Sequence, residues 1–564
     1  MNDFYPKVDL ISQALNENYN DDLDVAEQLG NQALSRFQHD MLGSPGMLTG
    51  RERLMAIMSE IVALVPESHP NLSTWLRSLG TSYSSAFMRL NNLDDLEKAI
   101  EYMSRAFTLG FEGDQDRTKC VTNLGELHGI RFRRLGRLED LEKAMNYMES
   151  SVASTPHGHP DLAQRLGNLG MLLNDRFRRF GTLIDCDNSI LHGSEAVRLV
   201  SEVPGHPDRA KWLSYLGISY RDRYKRLNEL SDLKLAIEQM SLAVYLTHGD
   251  HPDYPHQLGN LGRLYRDLFQ REKYADALNN AIDHGSQALF LTPATHPDHP
   301  KWRSSLGESY HDRFHFKKNR EDLEKAIDHM SRAVDLTPND HPDMPHWLSS
   351  LGEFYGDQFE QSQDMLDLAQ AVKHVHKAIH LMPAGDPSLP SKHSLMAKLR
   401  VLQYESSDEE LYLADALVSF RKASQSSAGS PGTKFRAALS WASLASHCSP
   451  LNCLEAYQTA IDLLPQFIWL GATTNQRYED LLTAVNLALD AASAAIRYSK
   501  YELALEWLEH ARCVVWSQSL MLRSPLDDLH LSHPQLAKSL REVANELNLA
   551  GSHRPTTPTT SYAI

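Results

Sequence analysis

The sequence predicts an all-α solenoid built from helix pairs with a 45-residue period, and three observations predict it. Residues 296–340, HPDHPKWRSSLGESYHDRFHFKKNREDLEKAIDHMSRAVDLTPND, are restated by residues 341–385, HPDMPHWLSSLGEFYGDQFEQSQDMLDLAQAVKHVHKAIHLMPAG. Self-similarity at a fixed period marks stacked supersecondary units. A Leu-Gly pair recurs at Leu79-Gly80, Leu124-Gly125, Leu169-Gly170, Leu216-Gly217, Leu261-Gly262, Leu306-Gly307 and Leu351-Gly352. Small residues recur further along each copy at Ala99, Ala144, Ala236, Ala281, Ala326, Ala371 and Ala416, with Ser189 in the one gap. Gly inside a helix costs roughly 1 kcal/mol against Ala. A Gly kept there in copy after copy therefore implies close approach of a partner helix, with the Ala positions as the matching small face.

The elements follow in order. Residues 1–68 read as an N-terminal helical cap, with helical spacing over 21–37 and 51–66 separated by the breaker 43–50. Residues 69–425 hold the regular array. His-Pro opens copies at His69, His159, His206, His251, His296 and His341, with Asp or Asn after the Pro. That Pro suits the first helical turn and the acidic residue the positive helix end. The copy after 385 lacks Leu-Gly and reads as degenerate. Residues 426–434, SSAGSPGTK, form a linker; the spacing of Gly429, Gly432 and Lys434 does not make a phosphate loop. Residues 435–548 read as further helical repeats and a cap, with a last charged helix over 534–548. The Pro/Thr-rich 549–564 reads as a disordered tail.

A chain of 564 residues exceeds one compact core, a limit that neighbour-on-neighbour stacking avoids. The net charge of −17 disfavours a general nucleic-acid or anionic-membrane surface. Five scattered Cys read as reduced thiols, and no basic-apolar leader or 18-residue apolar run is visible. Cytoplasmic residence is the expectation, by elimination.

The pattern Leu-Gly-x-x-Tyr, Ala, then Ala seven later and Pro five later resembles the tetratricopeptide repeat, whose unit is 34 residues. Here each copy is about eleven residues longer. The resemblance implies a right-handed superhelical solenoid of about nine to eleven helix pairs. It also implies that first helices line a concave groove, with contact positions at Lys211, Arg221, Asp222, Arg263, Arg266, Asp267, Lys301, Glu308, His311, Asp312, His346, Glu353 and Asp357. That lining is polar and mixed in sign, suited to a peptide or helix with charged side chains.

A larger resemblance covers roughly residues 69–548. The HPD…LG…DLEKAI copies and ALEWLEHARCVVWSQSLMLRSPLDDL (504–529) resemble the front half of fungal CHAT-domain proteins, which join such repeats to a caspase-like cysteine protease domain. The chain stops where that domain would begin, so no catalytic residue carries over. The apolar stretch with Trp507, Val515, Trp516 and Leu520 is expected to be a docking patch, for the protease domain or for self-association.

Other candidates resolve towards structure. The repeated His-Pro-Asp turns are one repeat apart, too far to share the ~2 Å ligand shell of zinc. His376 and His380 have i,i+4 spacing but no third ligand, and His374 lies off their face. Cys448 and Cys453, beside His447, and Cys513 read as small apolar residues. Asp-Arg-Phe/Tyr triples at 175–177, 222–224 and 312–314 recur with the repeat, so the aromatic should pack and the charged pair should face water or a partner. The expected function is a non-catalytic interaction scaffold without cofactor or metal, binding protein, as the regulatory half of a CHAT-type system. The alternatives are a cryptic cysteine enzyme centred in 435–530 and a shortened chain of a CHAT-domain protease.

Overall fold

The computed structural model describes residues 48–90, 92–110, 115–448, 453–468, 486–510 and 533–552, with Asn31 and Leu529. Among them there is helix and turn and no strand. The chain divides into two compact units, Met1–Leu291 and Thr292–Ile564. The division falls inside the stretch 69–425 that the sequence reads as one array. Repeats hold only their neighbours, so a boundary can fall between any two pairs whatever their sequence type.

In the first unit α1 (Leu48–Leu64) precedes five pairs: α2 (Leu72–Leu90) with α3 (Leu93–Leu109), α4 (Gln115–Leu135) with α5 (Leu138–Ala153), α6 (Leu162–Phe180) with α7 (Leu183–Ser201), α8 (Arg209–Leu227) with α9 (Leu230–Leu246), and α10 (Tyr254–Glu272) with α11 (Ala275–Leu291). The second unit holds α12 (His299–Lys317) with α13 (Arg320–Asp335), α14 (Met344–Ser362) with α15 (Met365–Leu381), α16 (Leu389–Ser407) with α17 (Glu410–Ser424), and α18 (Pro431–Cys448) with α19 (Cys453–Phe467). Then come α20 (Leu487–Arg497), a helical stretch at 501–510, and α21 (Pro534–Ser552). Nine pairs therefore stand among the described residues, and each packs on the next within its unit.

The repeat Gly is where the two helices of a pair meet. A Cβ placed on Gly217 would lie 3.1 Å from the carbonyl oxygen of Ala236, on Gly262 2.9 Å from that of Ala281, and on Gly307 3.1 Å from that of Ala326. The Leu-Gly and Ala patterns are thus two sides of one contact. The copy read as degenerate is a full pair: Ala397 takes the Gly position and is fully buried, as is Ala416 on its partner.

The first helices α4, α6, α8, α10, α12, α14 and α16 each end in one left-handed residue. Gly136, Gly181, Asn228, Lys273, Lys318, Gln363 and Asp408 have φ between 56° and 74°. Their N–H groups donate to the carbonyls of Phe132, Phe177, Tyr224, Phe269, Phe314, Phe359 and Tyr404 at 2.6–2.7 Å. This is a tight helix stop that reverses the chain within two residues. Five of the seven positions are not Gly, so composition hides the turn.

The His-Pro-Asp motif works differently from the sequence expectation. Its Pro lies in the turn outside the helix; the first-turn Pro residues are Pro255, Pro300, Pro345 and Pro390. Its Asp stands at the N-cap of α6, α8, α10, α12 and α14 without a side-chain capping bond. The His is the turn-former: Nδ1 of His159, His206, His251, His296 and His341 accepts the N–H of the Asp two residues on at 3.1–3.2 Å.

Residues 426–430 form the bend between α17 and α18, and 431–434 belong to α18. The last helix reaches Ser552, beyond the expected end at 548. The tail beyond it lies outside the described residues, as does the expected helix at 21–37 apart from Asn31.

Candidate functional site

The first-helix positions carry two sets of charged contacts. One set clamps each pair internally. Arg131 bonds Asp140, Arg176 bonds Asp185, Arg223 bonds Asp232 and Arg313 bonds Asp322, each through two guanidinium nitrogens at 2.6–3.0 Å. The Asp residues are buried. The Arg of each Asp-Arg-aromatic triple is therefore engaged within the fold and only partly faces water. Phe177 and Phe314 pack in the core as expected, and Tyr224 is half-buried. The Arg and Asp stand nine positions apart across the turn, a distance that helical periodicity alone does not reveal.

The second set joins successive copies along the first helices. In the first unit Arg133 bonds Asp175 at 3.2 Å, Arg178 bonds Asp222 at 2.5 Å and Arg221 bonds Asp267 at 2.5 Å. Asn174 also donates to Asp222 at 2.8 Å. In the second unit His346 bonds Glu308 at 2.9 Å, and His311 and His315 both meet Asp357, at 2.6 and 2.9 Å. The thirteen groove positions thus divide between the units: Lys211, Arg221, Asp222, Arg263, Arg266 and Asp267 in the first, and Lys301, Glu308, His311, Asp312, His346, Glu353 and Asp357 in the second. Several are mutually paired, and Asp267 and His311 are buried. Lys211 and Lys301 rest their ammonium groups over Trp212 and Trp302, 4.3 and 4.7 Å from the ring centroids. Arg263, Arg266 and Asp312 are half-buried, and Glu353 is exposed.

Burial shapes the charges on this face. It pushes the Asp175 carboxyl up from the ordinary carboxylate range, against the pull of Arg133 and Arg178. It pulls the Lys225 and Lys392 ammonium groups down; Glu353 and Glu308 oppose that on Lys392. The Asp175 side chain is buried in the fold.

Depressions open beside the first helices of each unit. In the first unit a pocket of about 120 Å³ has an apolar floor of Ile130, Met148, Met171 and Leu172 and a rim of Glu126, Arg133, Asn168, Lys211 and Tyr215. Asn168 and Gln164 donate to Glu126 across copies. In the second unit a shallower depression of about 650 Å³ lies among Lys398, Val401, Leu402 and Glu405 of α16, Phe420 of α17, and Leu439, Ser440 and Leu444 of α18.

The expected docking patch is corrected at Trp507. Its side chain is only 1% exposed, packs beside Tyr457 and donates from Nε1 to Gln458 at 2.9 Å, so it is core. Trp507 finds its partner in α19. Val515, Trp516 and Leu520 lie outside the described residues, as does Cys513. Cys120, Cys186 and Cys453 are buried, and burial pushes the Cys186 thiol up to about 12. His376 and His380 are exposed on α15, while His374 stacks on Tyr355. His315 was not singled out in the sequence; its i,i+4 spacing from His311, with an acid at the matching place of the next copy, was the available signal.

These features define an all-α protein of tetratricopeptide-like helix pairs. No protein-family model matches the chain, and no curated protein matches it. Among solved structures it is similar to human IFIT1, solved as a dimer with PPP-AAAA, at 14% identity and a TM-score of 0.44 over 90% of this chain and 99% of that one. It is also similar to a Podosopora anserina putative kinesin light chain with TPR-like repeats, at 15% identity and a TM-score of 0.29 over 39% of this chain and 95% of that one. A tetratricopeptide repeat protein from Parabacteroides merdae aligns at 16% identity and a TM-score of 0.33 over 54% of this chain and 93% of that one. No helix among the described residues is long and apolar enough to cross a membrane.

Proposed function

We propose that this chain is a non-catalytic interaction scaffold in the cytoplasm, binding a protein segment along the polar first-helix face of its repeats. The observation that carries the reading is the pocket at Glu126, Asn168 and Lys211. Small-molecule sites occupy roughly 300–1,000 Å³. About 120 Å³ is too small for one, and suits a single apolar side chain entering over a polar rim. The inter-copy bonds hold that rim in place before any partner arrives, which lowers the ordering cost of binding. The shallow depression on α16 and α18 fits a longer apolar stretch of the same partner class. Burial of the described thiols supports the non-catalytic part, since a reactive Cys needs exposure and a lowered pKa. Regulation of a CHAT-type protease domain rests on the resemblance at 504–529 alone.

The test is to pan a displayed peptide library on the full chain, then repeat binding with Met171→Trp, which fills the pocket. Peptides with one apolar residue among charged ones should enrich and lose binding to Met171→Trp. Enrichment of no peptide, or binding indifferent to Met171→Trp, would refute the proposal. Turnover of a thiol-directed probe at Cys448 or Cys453 would refute its non-catalytic part.

A further inference from the structure

We infer that His311, His315 and Asp357 form a binding site for a divalent transition-metal cation of the zinc class. Among the described residues they are the one group of three His, Cys, Asp or Glu donors whose ligand atoms lie within 4.8 Å of one another. His311 and His315 stand one turn apart on α12, and Asp357 comes from α14 in the next copy. Oδ2 of Asp357 is 2.6 Å from Nε2 of His311 and 2.9 Å from Nε2 of His315, and the two Nε2 atoms are 3.2 Å apart.

These distances are those of three donors that can share one cation. A point about 2.05 Å from all three atoms, the usual zinc–imidazole and zinc–carboxylate length, lies about 1.2 Å off their plane. The donor–metal–donor angles there are about 80°, 90° and 100°. That is a facial two-His, one-carboxylate set, which leaves further positions open. The His311 ring is stacked on Phe354 at 4.1 Å and held edge-on by His315 at 4.5 Å, so its nitrogen is aimed by packing.

Comparison with the other copies separates this cluster from a merely structural ion pair. At the matching acidic position Asp175, Asp222 and Asp267 are each met by an Arg from the preceding copy: Arg133, Arg178 and Arg221. Arg133 and Arg178 occupy the place of His315, and Arg221 that of His311. A guanidinium is permanently charged and has no lone pair for a metal. Only at Asp357 are both neighbours imidazoles, which donate a lone pair when neutral. Two rings aimed at one carboxylate oxygen also crowd their Nε2 atoms together; a cation between them turns that crowding into coordination.

The experiment uses the chelator-stripped full chain, titrated with Zn²⁺ by calorimetry and with Co²⁺ by visible absorption. His315→Arg restores the contact seen at Arg178 and Asp222, so it removes a ligand while keeping the fold. Wild type should take up one equivalent with Co²⁺ d–d bands. His315→Arg should abolish the bands and weaken Zn²⁺ by more than about 100-fold, the upper end of what outer-shell changes cost. Asp357→Asn should weaken it too, and His376→Ala/His380→Ala should change nothing. Stoichiometric binding that survives His315→Arg, binding lost with His376→Ala/His380→Ala, or no saturable uptake by wild type would each overturn the inference. Peptide binding is read separately, so failure here leaves the scaffold proposal standing.

Discussion

Gly262→Ala and Gly193→Ala should move stability in opposite directions, although both place one methyl group inside a helix. At Gly262 the new Cβ would sit 2.9 Å from the Ala281 carbonyl oxygen and 3.2 Å from the Gly285 nitrogen, both backbone atoms of α11. Neither can rotate away, so α10 and α11 must separate. Overpacking of this kind typically costs 1–3 kcal/mol, and backbone resistance puts this case at about 2–3. The better helix propensity of Ala returns about 1. The net loss is about 1–2 kcal/mol. At Gly193, inside α7, the new Cβ would meet only Leu216 side-chain atoms, at 3.5 and 3.9 Å. That is ordinary packing, so propensity decides and stability should rise by about 0.5–1 kcal/mol. Long repeat arrays need not melt as one unit, so a single melting temperature is a poor readout. Hydrogen exchange of peptides from α10–α11 and from α7 reads the local free energy directly. Protection in α10–α11 should fall about 5–30-fold for Gly262→Ala, the factor that 1–2 kcal/mol represents. Equal or greater protection in that variant would refute the claim that this contact sets the helix spacing.

Three further outcomes are expected. Gln363→Gly should stabilise α14–α15 by about 0.5–1 kcal/mol, since a left-handed non-Gly residue costs roughly 1–2 and Gly gives part of that back as chain entropy; Gly181→Ala should do the reverse, and denaturant titration reads both. Asp232→Ala should cost about 1–3 kcal/mol by removing two charge-assisted bonds of the Arg223 guanidinium, which retains Asp187, whereas Arg223→Met/Asp232→Leu should recover much of the loss in a double-mutant cycle. Burial, reinforced by Arg303, holds His329 down to about 4, and the unfolded chain takes its proton near 6.5. The unfolded state therefore binds more protons below about 6.5, so this stabilisation is full above that pH and is lost as pH falls towards about 4. His329→Phe should flatten the pH dependence of unfolding across that window, and an unchanged slope would remove His329 as its source.

The candidate site was less legible than the fold, and particular residues show why. The sequence marked His311 and Asp357 as groove positions but treated them as separate contacts, 46 residues apart. It did not weigh His315 at all, because its pairing with His311 gains meaning only once Asp357 of the next copy is brought beside both. It also read Arg176, Arg223 and Arg313 as outward-facing, since the Asp that each one clamps lies on the other helix. Trp507 looked like an uncovered apolar anchor because its cover, Tyr457 and Gln458, belongs to a helix about fifty residues earlier.

Helix pairs, their period and the Gly-to-Ala contact were determined by the sequence alone. They depend on spacing along one or two adjacent helices, and every copy repeats the same local physics. The turn role of His159 and its counterparts is equally local, because the side chain bonds a backbone N–H two residues away. Only the tertiary structure decided which charges are occupied, where Trp507 goes and that two imidazoles and a carboxylate converge. Those facts depend on which copy packs beside which and at what rotation. A one-turn shift of α14 along α12 would leave the repeat pattern intact while carrying Asp357 about 5.4 Å from its partners, out of bonding range.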